Sequence, residues 1–136
     1  MIAFFDTSAL IYLIEGAQPF AGRVRSALLQ LHQQHPVLGA AVCRLTRLEC
    51  RVLPLKRNDA AVLASYDGFF ARSDLLWIEL SPAVVELATA IRVETGLKTP
   101  DALQAASCLQ LGTEHAFLTG DSAFQRVSRL NVTLLA

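Results

Sequence analysis

Ile2-Ala3-Phe4-Phe5-Asp6-Thr7-Ser8 decides the fold: an apolar run of strand length stops at three residues that favour helix N-termini. The run reads as a buried strand. Asp6-Thr7-Ser8 then caps a helix through Glu15, which Gly16 stops. The same alternation continues outward. A helix is expected from about Pro19 to His35 and a strand over Val37–Val42. The next helix places Leu45, Leu48, Val52 and Leu55 on one stripe, and Asn58 caps another that ends near Ala71. Leu75–Leu80 reads as the third strand. Ser81-Pro82 and Thr99-Pro100 open two helices, closed by Gly96 and Gly112. Ala116–Thr119 and Val132–Leu135 are the last strands, with a short helix around Phe124 between them. Strands alternating with helices imply an α/β fold, a parallel sheet with helices on both faces. Such sheets bind ligands beyond the carboxyl ends of their strands, at a topological switch point.

The 136 residues suit a single domain spanning 1–136. With 53% hydrophobic residues, 18% charged residues and mean hydropathy +0.40, the chain has ample apolar surface to bury, which excludes disorder. The formal net charge of +0 argues against a binder that relies on a basic surface, although 10 of the 12 basic residues are Arg. Cys43, Cys50 and Cys108 form no CxxC pair, so buried thiols in a reducing cytoplasm are expected rather than disulfides or zinc. The apolar N-terminus lacks a basic leading segment and is broken by Asp6, so it reads as neither signal peptide nor membrane span.

The chemistry lies in the acids. Asp6 and Asp121 each follow a strand and should emerge at the carboxyl edge of the sheet, although each could instead cap the helix after it. Glu49 stands four residues after Leu45 and three before Val52, so its side chain should turn partly inward. A buried carboxylate needs a cation, a donor or a proton. Asp101 lies in a first helical turn, where the dipole favours an acid, above the small residues Ala102, Ala105 and Ala106. The other acids read as solvated, with Glu15 peripheral. Four carboxylates at one point are stable only if protonated or neutralised by a cation. Oxygen ligands select Mg²⁺ or Mn²⁺, and such an ion points to attack on a phosphodiester. His32, His35 and His115 lack a third ligand for zinc. Trp77 and Tyr66 read as core, and the Arg44, Arg47 and Arg51 face as solvated.

Taken together, these segments resemble a PIN-domain protein, most closely the VapC toxins of bacterial toxin–antitoxin pairs. Phe4-Phe5-Asp6-Thr7-Ser8 is similar to the family's strand and Asp-Thr/Ser-Ser/Asn. Glu49 in Leu45-Thr46-Arg47-Leu48-Glu49-Cys50 matches its helical glutamate. Lys98-Thr99-Pro100-Asp101 matches the segment of its third acid, and Phe117-Leu118-Thr119-Gly120-Asp121-Ser122-Ala123-Phe124 its Thr-Asn-Asp-x-Asp-Phe element. The resemblance implies a five-stranded PIN-like sheet and a Mg²⁺- or Mn²⁺-dependent endoribonuclease leaving 5′-phosphate and 3′-hydroxyl ends. It implies Asp6, Glu49, Asp101 and Asp121 as catalytic metal ligands, with Thr7 and Thr119 in support. It also implies homodimers and a cognate antitoxin. Ala123 stands where many relatives carry a further acid, and Gly120 replaces their Asn, which leaves one or two metal ions open. Two alternatives stand beside this reading. One is a non-catalytic PIN-like metal- or RNA-binding module. The other is a haloacid-dehalogenase-type phosphatase, whose Asp-x-Asp start is broken here by Ser8.

Overall fold

A computed structural model describes residues 1–135. These form strands β1 (Ile2–Phe5), β2 (Gly39–Cys43), β3 (Leu75–Ile78), β4 (His115–Thr119) and β5 (Val132–Leu134). They pair in parallel throughout, in the order β3-β2-β1-β4-β5. The helices are α1 (Thr7–Glu15), α2 (Phe20–Gln34), α3 (Arg44–Lys56), α4 (Ala60–Phe70), α5 (Pro82–Thr95) and α6 (Thr99–Leu109), and a 3₁₀ turn spans Ser122–Arg126.

Alternate side chains of each strand serve opposite faces of the sheet. Ala3, Phe5, Val42 and Leu118 pack with Leu10, Val24, Tyr66 and Phe70 from α1, α2 and α4. Phe4, Ala41 and Phe117 pack on the other face with Val84, Ile91, Ala102, Ala105 and Phe124. Phe4 and Phe117 stack across the β1–β4 pair with ring centroids 5.4 Å apart. Burial on both faces explains why these strands read as continuous apolar runs.

Local chemistry sets the helix ends. Ser81 caps α5 by accepting from the Val84 N–H, with Pro82 in the first turn. Gly16 ends α1 at φ 67°. Asp59, not Asn58, caps α4, accepting from the Val62 N–H. Asn58 instead takes the left-handed turn out of α3, at φ 52°. Lys98, not Thr99, holds the cap position of α6, and it makes no side-chain bond. Strand bounds move by a few residues: β2 starts at Gly39 and β3 ends at Ile78.

Helix α3 departs most from expectation. Its Leu48, Val52 and Leu55 are 60%, 42% and 51% exposed, while Thr46, Cys50 and Pro54 are buried. Beyond Leu45, which packs against the core, the apolar stripe therefore faces solvent. The helix is turned so that Cys50 joins the α1–α4 core and Thr46 meets α1 and α6. The arginines beside the stripe are paired: Arg44 donates twice to Glu79 and lies 4.0 Å above the Trp77 ring, and Arg51 donates to Asp67.

The three thiols are buried and unpaired, and burial pushes the Cys50 thiol up to about 12. His115 is structural. Its Nε2 accepts from the Asn131 N–H (3.0 Å), so Nδ1 carries the proton and donates to the Gly112 carbonyl (2.7 Å). No helix of the described residues is long and apolar enough to cross a membrane.

Candidate metal centre

The strand order reverses between β1 and β4: the chain leaves β1 for β2 and β3, then returns on the other side at β4. Asp6 follows β1 directly and Asp121 lies two residues beyond β4, so both sit at this switch point. The Asp6 N–H donates to the Leu118 carbonyl (3.2 Å), which extends the β1–β4 pairing to the site itself.

Asp6 is 4% exposed. Its Oδ1 accepts from the Ser8 hydroxyl (2.7 Å) and the Ala9 N–H (2.8 Å), and its Oδ2 from the Thr119 hydroxyl (2.5 Å). It therefore does cap α1, and capping and chemistry prove compatible in one side chain. A carboxylate offers about four acceptor positions, of which these donors use three. Burial pushes its pKa from 3.8 to about 6; the three donors oppose that rise, and the nearby charge of Asp101 adds to it.

The Thr119 hydroxyl also accepts from the Asp121 N–H (3.0 Å), so one side chain orients both acids. Asp121 is exposed, and its Oδ1 caps the 3₁₀ turn through the Ala123 N–H (2.8 Å). Between them, Gly120 donates its N–H to Ser8 Oγ (3.1 Å). A Cβ on Gly120 would lie 2.5 Å from the Tyr12 hydroxyl, and Tyr12 stacks on Phe20 at 4.6 Å. Glycine stands at this position because a tyrosine occupies the room a side chain would need.

Glu49 and Asp101 arrive from the helices. The Thr7 hydroxyl donates to Glu49 Oε1 (2.7 Å), which ties α1 to α3. Asp101, in the first turn of α6, has its carboxyl pKa raised by burial first and then by Asp121 and Glu49, with Lys98 opposing. The four acids thus share one electrostatic neighbourhood, in which Asp101 feels two of the others and Asp6 feels Asp101. They do not close into a cage. Among the described residues, no three His, Cys, Asp or Glu side chains are gathered tightly enough to hold an ion. The oxygen-only donor set of the four acids is the kind that a hard divalent cation takes.

All six expected site residues, Asp6, Thr7, Glu49, Asp101, Thr119 and Asp121, therefore lie at this edge. Glu49 does so although Leu48 and Val52 beside it are exposed. Three contributors are not among the expected site residues: Ser8, Thr46 and Gln104. The signal for two of them was present. Thr46 lies three residues before Glu49, and Gln104 three after Asp101, each on the same helical face as its acid.

The family model for the PIN domain matches residues 3–130. Among solved structures, VapBC2 from Rickettsia felis, bound to a DNA fragment from its promoter, superposes with a TM-score of 0.76 at 18% identity, over 98% of each chain. A toxin–antitoxin complex from Klebsiella pneumoniae gives 0.71 at 25% identity, again over 98% of each chain. VapBC-1 from nontypeable Haemophilus influenzae gives 0.66 at 17% identity, over 99% of this chain and 98% of that one. None of the curated proteins compared with the chain matches it by sequence.

Proposed function

The chain belongs to the PIN-domain family, and on that footing we propose that it is a Mg²⁺- or Mn²⁺-dependent endoribonuclease, the VapC-type toxin of a toxin–antitoxin pair. The supporting observation is that Asp6, Glu49, Asp101 and Asp121 come together at the switch point, tied by Thr7 and Thr119, where burial pushes the Asp6 carboxyl up to about 6. In this reading Asp6, Glu49, Asp101 and Asp121 would hold the ion. When bound, the ion acidifies an attacking water and offsets charge on the scissile phosphate. The chain's own residues orient the site. Thr119 fixes Asp6 and the backbone of Asp121, and Thr7 fixes Glu49. Asp121 is the exposed member of the four. Because the site is acidic and the net charge is +0, RNA binding would depend on the cation to neutralise the cluster.

An antitoxin and a second copy of the chain are the proposed partners, in a single-domain protein of the cytoplasm. The solved structures it resembles include toxin–antitoxin complexes. The exposed strip of Leu48, Val52, Leu55 and Leu80, lined by Arg44 and Arg47, is the kind of apolar patch that marks a protein contact. Family membership leaves the phosphatase alternative without support. The non-catalytic alternative is separable by experiment. RNA incubated with Mg²⁺, Mn²⁺ or EDTA should be cleaved only with metal, and not by Asp6→Asn. Equal cleavage by the variant, or in EDTA, would overturn the proposal.

A further inference from the structure

Gln104 is 2% exposed on the α6 face that otherwise buries Ala102, Ala105, Ala106, Ser107 and Cys108. Packing alone would favour Leu or Met there, which bring no polar group to satisfy. Its amide nitrogen lies 2.8 Å from Thr46 Oγ1, 3.2 Å from Thr7 Oγ1 and 3.4 Å from Glu49 Oε1. Its carbonyl oxygen is buried with no partner, the only such side-chain atom among the described residues. Three helices therefore meet on one amide that is itself imperfectly satisfied.

The polarity of this network is dictated by its far end. The Thr7 hydroxyl donates to Glu49 Oε1 (2.7 Å), so its hydrogen points at the acid. The Thr7 oxygen is then free to accept from Thr46 (3.2 Å) or from the amide, and the Thr46 oxygen accepts from the amide. Turning the amide over would set its carbonyl oxygen against the Glu49 oxygen. All the dipoles thus run from α6 toward Glu49 Oε1, and bonds in such a chain strengthen one another. Oε1 receives both donors, and Oε2 receives none among the described residues.

We propose that Gln104 is a positioning residue: through Thr46 and Thr7 it fixes Glu49 with one oxygen engaged and the other free for the cation, and folding stability is sacrificed to keep it. The inference rests on reading Glu49 as part of a metal centre. It goes beyond that reading by assigning the network behind the acid and by explaining the orphaned carbonyl, since sites that break a packing rule do so where function demands it.

A structural role and a positioning role predict opposite results for Gln104→Leu, which removes the donor and the orphaned acceptor together. The test measures thermal unfolding in EDTA, Mn²⁺ affinity from the spin-resonance signal of the free ion, and kcat on RNA. It compares the parent with Gln104→Leu, Thr46→Val and Thr46→Ser. Gln104→Leu should melt at or above the parent's temperature in EDTA, yet bind Mn²⁺ about tenfold more weakly, as expected for loss of an outer-shell partner. Thr46→Val should weaken binding in the same direction, and Thr46→Ser, which keeps the hydroxyl, should restore it. Mn²⁺ affinity and kcat within about twofold of the parent in both Gln104→Leu and Thr46→Val would overturn the proposal; should Gln104→Leu fail to fold, the Thr46 pair decides alone. A parent that binds no Mn²⁺ would refute the metal-centre reading instead. Metal-free crystal structures of the parent and Gln104→Leu would then decide: Glu49 leaving Thr7 in the variant supports the assignment, and Glu49 unmoved overturns it.

Discussion

Asp6→Asn should make the metal-free protein more stable, and the gain should depend on pH. The Asp6 carboxyl is pushed from 3.8 to about 6, chiefly by burial. At 1.36 kcal/mol per pH unit, keeping it ionised in the folded state costs about 3 kcal/mol at neutral pH. An acid whose folded pKa is raised holds its proton more tightly folded than unfolded. The penalty is therefore absent below about pH 3.8, builds as pH rises from there to about 6, and is complete above that. At about pH 4.5, only about 1 kcal/mol of it is present. Asn removes the charge but sets an amide N–H against the Thr119 hydroxyl, which must turn to accept it, at a cost of about 1 kcal/mol. The net gain is about 2 kcal/mol near pH 7.5, about 7 °C in Tm for a chain of this length, and near zero near pH 4.5. Thermal unfolding of both proteins in EDTA at the two pH values measures it. A variant that melts below the parent at neutral pH, or one whose advantage is the same at both, would refute desolvation of Asp6 as the origin.

Three further outcomes follow from the same geometry. Mn²⁺ at about 100 times its Kd should stabilise the parent by about 2.7 kcal/mol, and Asp6→Asn far less; equal shifts in calorimetry would contradict the ligand assignment. Thr119→Val removes the donor to Asp6 and the acceptor of the Asp121 N–H, so it should cost about 2–3 kcal/mol at neutral pH and push the Asp6 carboxyl further up. A carboxyl titration by NMR that moved down would show that Thr119 does not hold the charged form. Gly120→Ala should cost about 1–3 kcal/mol by forcing Tyr12 off Phe20. In a Tyr12→Ala background that cost should vanish, and its persistence would point to the backbone rather than to Tyr12.

Most of the fold, and the places of Asp6 and Asp121 at strand ends, were legible for reasons that can be traced to particular residues. Phe4-Phe5 followed by Asp6, and Leu118-Thr119 followed by Asp121, mark strand ends because apolar runs stop where a cap begins. Helix α3 was harder. Its leucine stripe has ordinary core spacing, and no local rule separates a stripe that faces a core from one that faces solvent. Only the contacts of Thr46 and Cys50 with other elements settle which way it turns. Gln104 was hidden similarly, since its partners lie 97, 58 and 55 residues away in the chain.

Periodicity, caps and turn residues act over a few neighbours, so the chain alone determined the alternating strands and helices, the parallel sheet they imply, and the placement of Asp6 and Asp121 at strand ends. What tertiary structure decided was everything set by contact between distant segments. This includes the rotation of α3, the closeness of Glu49 and Asp101 to the sheet edge, the burial that lifts the Asp6 pKa, and the tyrosine that demands glycine at 120. Desolvation and steric exclusion depend on what surrounds a group in space, and that surrounding exists only once the chain has folded.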